Sequence, residues 1–356
     1  MIKVLIVDDS ASTRLFLEQV FSADPAIRVV GTAKNGEEAL AAVALLAPDV
    51  ITMDVYMPQM NGLEATRRIM ETRPTPIIIL SGNLDQQEIM TSFQAMEAGA
   101  LIALPKPRGA GHPDHEQEVG TLVQKVKLMA EVKVVKRWPR RSQRVTSPKL
   151  PAVTGAVAAV QPQVVAIGAS TGGPVVIQTI LAGLSSDFPV PVLIVQHMAA
   201  GFIPGFVNWL ALTSRLPVHV ASQGETILPG HAYVAPDGCH MLVEAGGRIR
   251  LGGEPPDNGL RPSVASLFRS VADVYRKMAV GVLLTGMGRD GVDELRLLKE
   301  KGAVTIAQDK ASSVIYGMPG EAVQAGAATY ELSPDKIVAM LERLAKNPAP
   351  ALSGSW

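Results

Sequence analysis

Short apolar runs alternate with helix-spaced stretches in two separate parts of the chain. In the first part, Val4–Val7, Val29–Gly31, Val50–Met53, Ile77–Leu80 and Leu101–Leu104 are nearly unbroken apolar segments. That is the pattern of strands buried on both faces. Stretches such as Ser12–Ser22 and Asn35–Ala47 read as helices between them. After Lys106, a polar, glycine-containing loop leads to a fifth helix, where Val119, Leu122, Val123, Val126 and Met129 form one apolar stripe. Five strands alternating with five helices predict a doubly wound parallel sheet of the flavodoxin type over residues 1–136.

The pattern breaks between residues 137 and 161. Arg137, Arg140, Arg141, Arg144 and Lys149 are mixed with Pro139, Pro148 and Pro151, and no period is visible. This stretch reads as an interdomain linker, able to span about 27 Å as a flexible coil. Its basic run could also be a nucleic-acid arm. Alternation resumes at Val164, with strands expected at Val164–Ile167, Val192–Val195, Ala232–Ala235, Ile249–Leu251, Val280–Leu284 and Val304–Ala307. Helices are expected near Pro174–Leu184, Pro262–Tyr275 and Gly291–Lys301. The turn-rich stretch Gly230–Leu251 has the look of a β-meander inserted into a mostly parallel α/β domain covering 162–346. Residues 347–356 read as a tail.

Composition narrows the class. The 356 residues are 47% hydrophobic and 19% charged, enough apolar surface for two cores. Net charge is zero, so nothing global points to nucleic acid or an anionic membrane. One cysteine, Cys239, excludes an internal disulfide framework and fits a reducing compartment. The opening MIKVLIVDDS is too short and too acidic for a signal peptide. Every long apolar run is broken before it could span a bilayer. A cytoplasmic protein without membrane insertion is expected.

Chemistry gathers first at the strand ends of residues 1–136. Asp8 and Asp9 follow the first strand and Asp54 the third. Ser81 ends the fourth strand and Lys106 follows the fifth. In a doubly wound sheet these positions share one rim. Three carboxylates there repel each other and need a cation, and hard oxygen donors suit Mg²⁺. A nucleophilic carboxylate, a metal and a lysine are the parts of an aspartyl-phosphate site. The plainer reading, Asp8 and Asp9 as helix caps, leaves the other three groups unexplained. The segments VDDS, MDVYMPQMNG, LSG and PKP closely resemble the receiver domains of two-component response regulators. The resemblance implies Asp54 as phospho-acceptor and Asp8, Asp9 and Asp54 as Mg²⁺ ligands, with Tyr56 adding its backbone carbonyl. It also implies Ser81 and Lys106 as the switch pair and a sensor histidine kinase as phosphodonor. Receivers usually carry an aromatic residue three positions before the lysine. Here that position is Ala103, so switching must use other surface changes.

The second constellation is VVAIGASTGGP, where a buried strand runs into Gly168-Ala169-Ser170-Thr171-Gly172 and then a helix. The G-x-S-x-G spacing at a strand-to-helix turn suits a nucleophile elbow facing helix N–H groups. A phosphate-binding turn or a plain serine cap would share the spacing. Neither G-x-G-x-x-G nor a Walker lysine is present. A base must then be found among six histidines. His112 and His115 lie in the receiver part, and His219, His231 and His240 read as structural. His197 ends the apolar strand VLIVQHM, on the rim expected for Ser170. An orienting carboxylate is offered by Asp290, delivered by VGVLLTGMGRDG. Its plainer role is to cap a helix starting near Gly291. Asp187, Asp237 and Asp257 follow no such strand.

The order Ser170, His197, Asp290 matches none of the three common hydrolase orders. GASTGG, QHM, LTGMGRDG and YGMPG together closely resemble the catalytic domain of chemotaxis protein-glutamate methylesterases. The resemblance implies Ser170 as nucleophile, His197 as base and Asp290 as its orienting partner, with Thr171 and Met287 at the oxyanion site. It also implies a substrate, the methylated cytoplasmic domain of a chemoreceptor, with glutamine deamidation as a second activity and no cofactor for the ester step. In that family the unphosphorylated receiver packs over the hydrolase cleft. Two other outputs stay open on sequence alone. One is a regulator acting by binding DNA or protein; the other is an esterase serving a non-flagellar sensory system.

Overall fold

The computed structural model of the protein describes residues 1–82, 85–134 and 161–346. The expected linker, apart from Gln161, and the expected tail lie outside the described residues. The chain divides into two compact units, Met1–Gln143 and Arg144–Trp356.

The first unit is built on β1 (Ile2–Val7), β2 (Ile27–Ala33), β3 (Val50–Asp54), β4 (Ile77–Ser81) and β5 (Ile102–Pro105). These pair in parallel in the order β2-β1-β3-β4-β5. That order puts a topological switch point between β1 and β3, where a crevice opens at the strands' carboxyl ends. Side chains that cannot hydrogen-bond fill the sheet: Val4 to Ile6, Ile51 and Ile77 to Ile79 are fully buried. The intervening helices are α1 (Ala11–Ser22), α2 (Gly36–Leu46), α3 (Gly62–Thr72), α4 (Gln86–Ala98) and α5 (His115–Ala130). Ser10, Asn35, Asn61 and Asp85 cap α1 to α4, each accepting a backbone N–H from the first turn. Because Ser10 caps α1, Asp8 and Asp9 are left free for another role.

The second unit carries a seven-stranded sheet, all of its pairings parallel. Its strands are β6 (Val164–Ala169), β7 (Val192–Gln196), β8 (Val218–Val220), β9 (Ala232–Val234), β12 (Ala279–Leu283), β13 (Val304–Gln308) and β14 (Tyr330–Leu332). They lie in the order β14-β13-β12-β6-β7-β9-β8. The chain leaves β6 toward β7 on one side and later returns with β12 on the other, so β6 is the switch point. The turn-rich stretch resolves into two parts. β9 joins the parallel sheet, while β10 (His240–Glu244) and β11 (Arg248–Gly252) form a separate antiparallel hairpin. The helices are α6 (Gly173–Gly183), α7 (Ile203–Ala211), α8 (Val264–Val274), α9 (Val292–Glu300), α10 (Met318–Gln324) and α11 (Pro334–Lys346). The face of α8 made by Val264, Leu267, Phe268 and Val271 packs into a core shared with Leu193, Val195 and Leu283. This fixes the start of α8 beside the carboxyl end of the sheet. Among the described residues, no helix is long and apolar enough to cross a membrane.

Candidate functional site

In the first unit, β1 delivers two polar groups, Asp8 and Asp9, and β3, β4 and β5 one each to the same rim. Ligand oxygens of Asp8, Asp9 and Asp54 lie within 4.8 Å of one another. Lys106 Nζ sits 2.7 Å from Asp8 Oδ2 and 2.9 Å from Asp54 Oδ2. The Asp8 contact is close but poorly aligned, because Asp8 Oδ2 has no partner of hydrogen-bonding geometry. It acts as a point-charge attraction. Burial is the main influence on Asp54 and pushes its pKa up to about 6, helped by the like charge of Asp8. Lys106 and the Val55 N–H pull the other way without cancelling it. Burial alone would lower Lys106, but its close contacts with the Asp8 and Asp54 carboxylates together outweigh that and raise it. The pocket therefore has more carboxylate than one lysine can satisfy, and the surplus favours a hard cation.

Tyr56 is exposed, its hydroxyl 3.4 Å from Thr91 Oγ1. Ser81 is buried, and its hydroxyl donates to Glu88 Oε1 at 2.7 Å, an oxygen that also accepts the Gly82 N–H at 2.6 Å. Sequence reasoning missed Glu88. A charged residue on a helix normally faces water, and nothing local marks this one as buried.

In the second unit, three adjacent strands carry the candidates. Ser170 follows β6, His197 follows β7, and the loop after β12 holds Thr285, Met287 and Asp290. His197 N–H bonds the Ala169 carbonyl at 2.9 Å, and Ser170 N–H bonds the Thr285 carbonyl at 3.0 Å. The sheet ladder thus continues into the site. Gly172 adopts the left-handed conformation (φ 80°) that turns the chain from Ser170 into α6. Gly286 packs so closely that a Cβ there would lie 2.7 Å from Ser170 Cβ.

His197 Nε2 lies 2.9 Å from Asp290 Oδ2. The separation is that of a hydrogen bond, but the N–H direction is not, since this nitrogen has no aligned partner. Asp290 is buried and also accepts two backbone N–H groups, from Val264 at 2.7 Å and Ala265 at 3.1 Å. These are the first donors of α8. The plainer expectation for Asp290 was a cap on the helix starting near Gly291. In fact α9 begins at Val292 after Gly291, and the helix Asp290 serves is α8. The positive end of that helix favours the carboxylate. Among the described residues, Ser170 Oγ makes no hydrogen bond, so acid and imidazole are in contact while the serine is undocked. Such bonds often form only when substrate is present.

Thr171 is buried, and its carbonyl accepts the Thr285 hydroxyl at 2.9 Å. Met287 stands half exposed on the rim. The remaining histidines are occupied elsewhere. His240 bonds Ser263 and the Pro255 carbonyl, His219 pairs with His231 at 2.9 Å, and His112 contacts Arg108. Sequence reasoning also missed Gln196, the last residue of β7. Its Nε2 donates at 2.8 Å to the carbonyls of both Ser170 and His197.

Residues 165–341 match the family model described as CheB methylesterase, and residues 4–112 match that of the response regulator receiver domain. A binding-only output gives way to that first match. A Geobacter metallireducens protein named protein-glutamate methylesterase/protein-glutamine glutaminase 4 is 64% identical over 97% of this chain and 99% of its own. A Nitrosospira multiformis protein of the same description is 55% identical, over 97% of each. The crystal structure of the Thermotoga maritima CheB methylesterase catalytic domain aligns with a TM-score of 0.50 at 37% identity, over 52% of this chain and 100% of that one. With both parts matched in order and near-complete relatives at this identity, the chain belongs to the CheB family of receiver-linked protein-glutamate methylesterases/protein-glutamine glutaminases.

Proposed function

We propose that the protein hydrolyses γ-glutamyl methyl esters, and deamidates glutamines, on the cytoplasmic domain of a chemoreceptor. Ser170, His197 and Asp290 would carry the reaction, and phosphorylation of Asp54 would control it. The observation that supports this reading best is the contact of His197 with a buried, doubly capped Asp290 beside the strand that bears Ser170. Asp290 holds the imidazole and balances the charge it gains. His197 takes the Ser170 proton as Oγ attacks the ester carbonyl. In the present ring orientation Nε2 faces the acid, which leaves Nδ1 as the acceptor edge. Backbone N–H groups at Thr171 and Met287 would receive the developing oxyanion, a role in which one donor is worth about 10²–10³ in rate. Methanol leaves with the proton from His197, and a water activated by the same ring releases the glutamate. For a glutamine the leaving group is ammonia.

In the receiver, Asp8, Asp9 and Asp54 fit Mg²⁺: they are hard oxygen donors in surplus over Lys106, with Asp8 Oδ2 lacking an aligned donor. The Tyr56 carbonyl would complete the set. When bound, the ion supplies charge neutralisation for the phosphoryl oxygens. Lys106 adds a second positive charge beside Asp54, and Ser81 would leave Glu88 to donate to the phosphoryl group. A sensor histidine kinase is the phosphodonor this site fits, and a receptor's cytoplasmic domain as substrate places the protein in the cytoplasm.

The test is methanol release from methylated receptor with and without acetyl phosphate. Ser170→Ala should abolish release yet still be phosphorylated at Asp54, and Asp54→Asn should lose the response to acetyl phosphate. Undiminished turnover by Ser170→Ala would reject the assignment.

A further inference from the structure

Gln196 is 2% exposed and sits at the end of a strand whose backbone is locked on both sides by β6 and β9. One side-chain amide nitrogen gives both its hydrogens to backbone carbonyls, those of Ser170 and His197, each at 2.8 Å. The opposite amide orientation would turn Oε1 toward two carbonyl oxygens, so the placement of nitrogen and oxygen is fixed by the surroundings. The consequence is a buried Oε1 with no donor. It presses against the start of α6, where a Cβ on Gly173 would lie only 2.1 Å away. An apolar side chain of similar length would fill the same space without an orphaned acceptor. A side chain kept for packing alone would not need this arrangement.

The Ser170 carbonyl belongs to the same peptide unit as the Thr171 N–H, which donates to no acceptor among the described residues. That carbonyl accepts two donors, the Gly173 N–H at 2.8 Å from the turn itself and Gln196 Nε2. The second, tied also to the His197 carbonyl, fixes the plane of the peptide against the end of β7 and further polarises its N–H. We infer that Gln196 is a positioning residue of the ester hydrolysis, clamping the Ser170–Thr171 peptide to the backbone of His197 so that the Thr171 N–H is aimed where the oxyanion forms. The inference rests on the reading of Ser170 as nucleophile and His197 as base. It assigns Gln196 no contact with substrate.

The discriminating experiment uses the full chain, with acetyl phosphate present throughout, and reads methanol release from methylated receptor. Gln196→Met keeps the side chain's length and removes its donors. Its kcat should fall about 10- to 100-fold, because a fixed oxyanion donor acts mainly in the transition state, while KM stays within about twofold. Labelling of Ser170 by a phosphonate, which forms a tetrahedral adduct, should slow by a similar factor. A kcat within twofold of wild type, or a loss carried wholly by KM, would overturn the inference. Gln196→Asn provides a second route if the methionine variant does not fold, since it keeps the amide but shortens its reach to the two carbonyls and should give the same kcat-selective loss; a wild-type kcat there is equally fatal. Ser170→Ala run in parallel separates the two levels. Turnover by that variant rejects the nucleophile itself, whereas an inactive Ser170→Ala beside a fully active Gln196→Met rejects only the role of Gln196.

Discussion

Asp54 and Asp290 occupy equivalent places, each buried at the carboxyl end of a parallel sheet, yet their surroundings treat them in opposite ways. Asp54 faces a like charge in Asp8, shares one lysine with it, and is pushed up to about 6 chiefly by burial. Asp290 receives two N–H groups at the positive end of α8 and an imidazole. The contrast fits what each site is proposed to do. A pocket that will admit a cation and a phosphoryl group has to be electrostatically incomplete beforehand. A pocket that only passes a proton between its own members is better served by an anion already satisfied.

The largest effect that could break this contrast is on catalysis. Asp290→Asn keeps the shape and removes the charge, so kcat for methanol release should fall about 10³–10⁴-fold, or about 4–5 kcal/mol of barrier. A loss below tenfold would mean the satisfied anion is not needed. Next in size is Asp54→Asn, read as stability without divalent metal. A carboxyl raised from 3.8 to about 6 favours its neutral form in the fold. Its stabilising contribution is therefore present below about pH 4 and lost as pH rises through 6. The asparagine variant, permanently neutral, should be more stable than wild type at pH 7.5 by about 3 kcal/mol at most, with the gain vanishing near pH 4. Denaturant unfolding at both pH values checks this, and a less stable variant at pH 7.5 would overturn the account. The smallest effect sharpens the comparison within the receiver. Glu88 resembles Asp290 in being met by hydrogen-bond donors, the Ser81 hydroxyl and the Gly82 N–H. Glu88→Gln keeps an acceptor for them, so the cost should be about 1 kcal/mol in the same unfolding experiment; a cost above 3 kcal/mol would show that the charge itself is needed.

Strand ends were readable from sequence because buried parallel strands are written as apolar runs, and the first polar residue after each run falls on the rim. That rule placed Asp8, Asp54, Lys106 and Ser170, and His197 one residue beyond it. It did not place the partners that arrive from elsewhere in the chain. The two N–H groups that hold Asp290 come from the start of α8, 25 and 26 residues away in sequence, and no local signal announces such a pairing. Gln196 was passed over because a polar residue ending an apolar strand reads as the point where the chain meets water, whereas this one is turned inward. Some of the fold was missed despite a signal. Ile337, Met340, Leu341 and Leu344 give α11 a plain apolar face. α10, at seven residues, and β14, at three, are too short for periodicity to identify.

The sheet order has a consequence for synthesis. β6, which leads into Ser170, pairs with β12 through Val165 opposite Val280, so one edge of the nucleophile's strand stays open until the ribosome has delivered a far later segment. A nascent chain can therefore complete its receiver long before any hydrolase exists, and the half-built second unit presents an unpaired apolar strand throughout that interval. Newly made protein is catalytically silent by order of assembly, and this interval is when the chain depends most on protection from aggregation.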